Sequence, residues 1–375
     1  MRNIFILIII FLCPKVLAQK LALFDNPERL EQVNRIGYYI YNNEYSRADS
    51  AIFEVEKKLP GHPIIHLLRA LNIAWSEMPI RTTSDVFPAH YAELQKVIES
   101  ALKLQEANEK NQEGIFFEMS ARGLLTEYYA REGIYLKALG EARKMYALAK
   151  AGFDFLEENN EFLFSTGLYN YFREMYPERH PIYKPFVWVF KSGDIDEGLM
   201  QLHRATQEAK LTKIEASLYL SYIYLRYENK PLKALSYLEE LVKVYPNNNY
   251  FKSKLLECLM VNSNYTRAYP FFSEMLLVAD PYYKMCGEVN MGIYQEKHLN
   301  NYALSEKYYY LALNTGKHYT DKGLYFRSLA YIGLGRISKS RGDLSQAKEF
   351  FENVLEIDEN DALNEEAKSL IKEVK

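Results

Sequence analysis

The sequence predicts an all-α chain of about eight helical hairpins stacked in chain order, an α-solenoid closed by a C-terminal capping helix. Three observations carry this. Gly (17) and Pro (13) are sparse among 375 residues, too few for the many tight turns of a sandwich or barrel. Apolar residues recur at helical rather than alternating spacing along nearly the whole chain. Small residues also recur at a near-constant interval, as Ala234 and Ala268 do 34 positions apart, and a fixed period of this length marks stacked repeats. An apolar content of 48% excludes wholesale disorder.

The first eighteen residues read as an export signal. Met1 and Arg2 open it, Ile4 to Leu12 are continuously apolar, and Val16-Leu17-Ala18 precede a cut at Gln19. The apolar run is under half of the roughly 20 residues a membrane-spanning helix needs, and no later stretch approaches that length, so stable membrane insertion is not expected. Leu12 stands before Cys13 where a lipid-attachment motif resembles a small residue, so lipidation is not expected either. The expected location is the periplasm, the outer-membrane surface or the medium of a Gram-negative bacterium. Losing Arg2 and Lys15 leaves 44 basic against 49 acidic residues, a net of −5. Mild acidity without a basic run argues against nucleic acid as partner.

Residues 19–375 then read as one array. Asn26-Pro27 is a good helix start, and Asp194 with Glu197, Thr212 with Glu215 and Asp343 with Gln346 have capping-box spacing. Pro60, Pro246 and Pro281 fall where helices should end. The hairpins are expected at 28–59, 62–107, 112–151, 157–209, 212–245, 248–279, 282–316 and 322–357, with the cap at 360–374. Each second helix carries a small or packed residue near its start: Ala48, Leu94, Ala138, Gly198, Ala234, Ala268, Ser305 and Ala347. The longest gap, from Ala138 to Gly198, marks an enlarged, irregular aromatic and Pro-rich unit at 152–209. There Pro177, Pro181 and Pro185 predict a stiff, extended crossing.

The best unit, Tyr331, Leu334-Gly335, Gly342-Asp343, Ala347, Phe351 and Val354, resembles the tetratricopeptide repeat, although Ser338 replaces its second aromatic. The same template fits Ala268, Phe272 and Met275, then Ala234, Leu238, Leu241 and Pro246, so the best-matching repeats span 215–361. This resemblance implies a right-handed solenoid with a concave face supplied by the first helix of each hairpin. Carried onto this sequence it selects Tyr219, Arg226 and Tyr227; Tyr250, Glu257 and Met260; Asn290, Tyr294 and Lys297; and Arg336 and Lys339. It further implies a non-enzymatic scaffold that binds a protein or peptide, in an envelope complex, with no cofactor. The Lys-Asn-Asn-Lys-Arg order by which some relatives of that family grip a C-terminal carboxylate does not occur.

A second reading, binding of a glycan or small ligand, rests on the aromatic segment 169–190, with Tyr169, Tyr171 and Trp188 as the patch. His62 and His66 have helical metal-ligand spacing, but Pro63 intervenes and no metal site is expected. Nucleophile-elbow, phosphate-loop and Cys-x-x-Cys signatures are absent. Cys258 and Cys286 sit about nine helical steps out of register, roughly 13 Å, too far for a disulfide.

Overall fold

The computed structural model describes residues 22–179 and 181–374; the expected signal peptide and Cys13 lie outside the described residues. The described chain is all-α. Its helices are α1 Pro27–Tyr41, α2 Tyr45–Lys58, α3 Pro63–Trp75, α4 Phe87–Ala107, α5 Gln112–Arg131, α6 Tyr135–Asp154, α7 Phe162–Arg179, α8 Ile195–Glu208, α9 Lys213–Arg226, α10 Pro231–Val244, α11 Asn249–Val261, α12 Tyr265–Met275, α13 Pro281–Lys297, α14 Tyr302–Thr315, α15 Leu324–Ser340, α16 Leu344–Ile357 and α17 Asp361–Glu373. They pair as eight hairpins plus a cap. Two compact units are distinguished, one reaching Leu220 and one beginning at Ser221.

Within each unit the hairpins stack in order. In the first, α1, α3, α5 and α7 lie side by side, each with its second helix packed against it; in the second, α11, α13 and α15 do the same and the single helix α17 closes the row. Helix starts follow side-chain chemistry. Asn26, Asn111, Asn248, Asp280, Asn301 and Asn360 each accept an N–H bond from the first turn of the following helix, supplying a partner that the helix itself cannot. Asp194 and Asp343 do the same for Glu197 and Gln346, 3.0 Å each. The Thr212–Glu215 box is different: Thr212 gives its N–H and hydroxyl to Glu161, and Glu215 turns to Tyr41. Pro281 begins α13 rather than ending a helix, because its missing N–H costs nothing in the first turn.

The repeat position is the fourth residue of each second helix. Ala48, Ala138, Gly198, Ala234, Ala268, Ser305 and Ala347 all hold it and all are buried. The second hairpin corrects the sequence reading: its fourth residue is His90, not Leu94, which lies one turn further on. His90 is 0% exposed and gives its Nδ1 proton to the Ala70 carbonyl at 2.8 Å, as the Ser305 hydroxyl does to the Gly292 carbonyl at 2.8 Å. A small residue is thus one solution; a larger one that bonds the facing backbone is another.

The enlarged unit also differs from expectation. Pro177 lies inside α7, and 181–189 forms a 3-10 helix instead of an extended crossing. Proline's fixed φ suits the 3-10 conformation as well as the extended one. The capping helix behaves as its pattern predicts. Leu363 and Ala367 complete a core with Ile332, Ala347, Phe351 and Val354, which would otherwise face water.

Candidate binding face

The first helices of the second unit bring together groups far apart in sequence. Arg226, the last residue of α9, pairs with Glu257 of α11 and lies over the Tyr325 ring of α15, 5.0 Å from its centroid. Tyr325 Oη donates to Glu257 at 3.4 Å, and Lys254 Nζ approaches the same carboxylate at 3.5 Å. Lys254 also sits over the Tyr250 ring. Its side chain is 31% exposed, yet desolvation by its surroundings, with Arg226 as a second cation, pushes the ammonium down to about 8. Three helices therefore converge on one partly open cluster of two cations, a carboxylate and two tyrosines.

A second cluster lies toward the cap. Glu296 accepts from Arg336 Nε at 2.7 Å and Nη2 at 2.9 Å, and from Tyr309 Oη at 2.6 Å; Lys297 Nζ is 3.4 Å away. Burial by itself raises the Glu296 carboxyl, but Arg336 and Tyr309 outweigh it and hold the acid below its usual range. The remaining Arg336 donor goes to Glu366, and Lys339 pairs with Glu373, both on α17.

The first unit has its own version. Tyr41, ending α1, meets Trp75, ending α3, edge to face at 4.9 Å and donates its hydroxyl to Glu215 of α9. Glu215 Oε2 is buried with no hydrogen-bond partner, and desolvation lifts this carboxyl to about 7 against the lowering pull of Tyr41. Tyr219 donates to Glu127 of α5 and packs on Phe164 of α7.

The structure thus distributes the sequence-selected residues unequally. Arg226, Glu257 and Tyr250 share one cluster; Tyr219 belongs to the first unit's face; and Tyr227 packs against Tyr222 beyond the end of α9. Asn290 is 5% exposed and spends its amide on the Cys286 carbonyl, so it is no contact residue. Tyr294 lies in the seam against Phe272 and Tyr269 of α12. Arg336 and Lys339 tie down the capping helix rather than stand free, and Lys297 flanks Glu296. Tyr325, Lys254 and Glu215 were missed. Only Lys254 carried a local signal, one turn before Glu257 on the same helix face.

The aromatic patch is not one surface. Tyr171 is fully buried while Trp188 is 80% exposed, and Tyr169 is stacked on Tyr146 with its hydroxyl on the Lys191 carbonyl at 2.5 Å. Tyr171 is core, so the three cannot grip one ligand. His62 and His66 also diverge. His62 accepts from the Ile64 N–H on Nδ1 and donates from Nε2 to Glu113, whereas His66 pairs with Glu93. Among the described residues no group of three or more metal-ligating side chains occurs. Cys258 and Cys286 are free and buried, and burial pushes their thiols up to about 11 and about 12.

No protein-family model and no curated protein sequence matches the chain. Among solved structures it is similar to the human IFIT1 dimer with PPP-AAAA, at 15% identity over 85% of this chain and 70% of that one, with a TM-score of 0.44. It is also similar to the human IFIT1 dimer with m7Gppp-AAAA, at 13% identity over 93% and 100% of the chains, TM-score 0.37. The P58(IPK) TPR domain follows at 14% identity over 92% and 98%, TM-score 0.26. At such scores these likenesses decide nothing about what this chain binds. The fold rests on the helices themselves, an all-α chain whose helical hairpins stack in chain order within each unit.

Proposed function

We propose that the protein is a non-enzymatic scaffold that holds a peptide or protein segment against the first-helix face of its second unit, in the cell envelope or outside the cell. The observation that carries this reading is the cluster of Arg226, Lys254, Glu257, Tyr250 and Tyr325. Arginine and tyrosine combine large contact area with a polar handle and concentrate binding energy. Their mutual pairing keeps the face ordered before a ligand arrives, which lowers the entropic cost of binding. An acidic or C-terminal carboxylate on the partner would take over Arg226 from Glu257 and find Lys254 beside it. The reading of an exported scaffold is supported by the basic, apolar and small-residue layout of residues 1–18.

Panning the full chain against a displayed peptide library tests this. Selected peptides should carry acidic groups or a free carboxyl terminus, and Arg226→Ala or Tyr250→Ala should weaken them about tenfold or more, each anchor being worth at least 1.4 kcal/mol. Peptides that bind both variants as they bind the parent would refute it.

A further inference from the structure

The 3-10 helix of the enlarged unit and the neighbouring helix α6 together carry a group of exposed apolar residues. The 3-10 helix 181–189 runs alongside α6 in the same direction: Tyr183 meets Tyr135 at 5.6 Å and Phe190 meets Tyr146 at 5.1 Å. The Lys191 N–H bonds Tyr146 Oη at 2.9 Å and closes the far end. Leu136 is 83% exposed and Trp188 80%, with Tyr135, Ile134 and Val189 also exposed. These apolar groups stand on α6, on the residue before it, and on the 3-10 helix packed beside it.

Their surroundings are basic. From Ile134 to Lys150 the exposed charged residues are Lys137, Arg143, Lys144 and Lys150. The acid within that stretch, Glu141, is half-buried and turned to Arg122 at 2.6 Å, with Lys144 at 3.1 Å. Residues 179–193 contain no acid; Lys184 is matched by Glu178 and Lys191 stands exposed. Asp154 and Asp194 lie beyond the two ends. Such a face is out of keeping with a chain whose formal net charge is −3.

We propose that this face docks the protein peripherally on an anionic lipid surface. Trp188 and Tyr135 take the headgroup level, where amphipathic rings are favoured, Leu136 enters the acyl boundary, and the lysines and Arg143 meet lipid phosphates. Projecting aliphatic groups fit this occupant better than the alternatives. Leu136, Ile134 and Val189 offer nothing to a nucleic-acid backbone, which would use the basic stripe alone. Protein anchors more often seat in well-packed pockets than on such a ridge. No described helix is long and apolar enough to cross a membrane, so the docking is reversible and superficial.

Co-sedimentation of the full chain with phosphatidylglycerol-containing vesicles, and with pure phosphatidylcholine vesicles, tests the proposal alongside tryptophan emission. Trp75 is only 9% exposed, so a blue shift reports Trp188. Binding to the anionic vesicles, weakened by salt and accompanied by the shift, is expected. Arg143→Gln and Lys150→Gln, at 7 and 14 residues from Leu136 and so on its helix face, should each weaken it about fivefold, and Leu136→Glu about tenfold or more. These positions are exposed, so the variants should melt like the parent. Absence of vesicle binding at low salt, binding indifferent to all three substitutions, or a shift with an oligonucleotide but none with vesicles would overturn it.

Discussion

Replacing Arg336 with alanine removes the partner that keeps the Glu296 carboxylate ionised beneath the capping helix. Glu296 is 5% exposed at its side chain and Arg336 21%, and they share two charge-assisted bonds of 2.7 and 2.9 Å. Breaking a buried pair from one side typically costs about 3–5 kcal/mol, because the remaining charge is left without its counterion. Tyr309 still donates to Glu296 and Lys297 lies nearby, which places Arg336→Ala near the lower end, about 3 kcal/mol. Replacing both partners, Glu296→Gln with Arg336→Met, leaves no stranded charge and should return most of that loss. The pH dependence has a definite sign. The Glu296 carboxyl is held below its unfolded value, so its contribution is present above that value and fades as pH falls; parent and Arg336→Ala should converge in acid. Urea unfolding followed by far-UV circular dichroism, with the second unit's transition fitted separately, reads the difference. A loss under about 1 kcal/mol for Arg336→Ala, or a double variant no better than the single, would refute the reasoning.

Three further outcomes follow from the same contacts. Glu215 titrates near 7 in the folded chain against an ordinary 4.5, so its contribution to stability is greatest in acid and declines by about 3 kcal/mol as pH rises through that window. Glu215→Gln, which can still accept from Tyr41, should flatten this dependence and raise Tm above neutral pH; an unchanged pH profile contradicts it. A Cβ on Gly333 would lie 2.2 Å from the Tyr309 ring, whereas one on Gly140 meets nothing within 4 Å. Gly333→Ala should therefore destabilise by about 1–2 kcal/mol, and Gly140→Ala in mid-helix should stabilise by roughly 0.5–1 kcal/mol; equal shifts in thermal melts would sink the packing argument. Cys258 and Cys286 should resist alkylation in the native protein and both react once unfolded without reductant. Failure of the unfolded pair to react would mean they are bridged.

What the sequence made legible was the part set by short-range chemistry. Hairpin limits follow from Asn26-Pro27 and from the Asp194 and Asp343 capping boxes, and a buried small residue four positions into seven of the eight second helices sets the repeat. His90 escaped because a template that looks for a small or aliphatic residue cannot foresee an imidazole whose Nδ1 bonds the Ala70 carbonyl. Pro181 and Pro185 were compatible with two backbones, and only the packing of Tyr183 and Phe190 on α6 chooses the 3-10 one. The candidate face was half legible. Arg226, Glu257 and Tyr250, selected through the resemblance, come together in one cluster, but Arg336 and Lys339 are claimed by α17, and Tyr294 by the seam with α12. Those outcomes depend on which helix lies opposite, and sequence spacing within one helix says nothing of that. Tyr325 reaches Arg226 across 99 positions of sequence, a pairing no local pattern announces.

The most direct test of the central claim is site-specific photo-crosslinking in the native host. A photoreactive phenylalanine analogue placed at Tyr250 or at Tyr325 should capture a polypeptide, and the crosslink should be lost when Arg226→Ala is added. The same analogue at Leu277, 88% exposed beyond the end of α12, should capture none. Crosslinks that form equally at Leu277, or that persist without Arg226, would contradict a scaffold that works through its first-helix face.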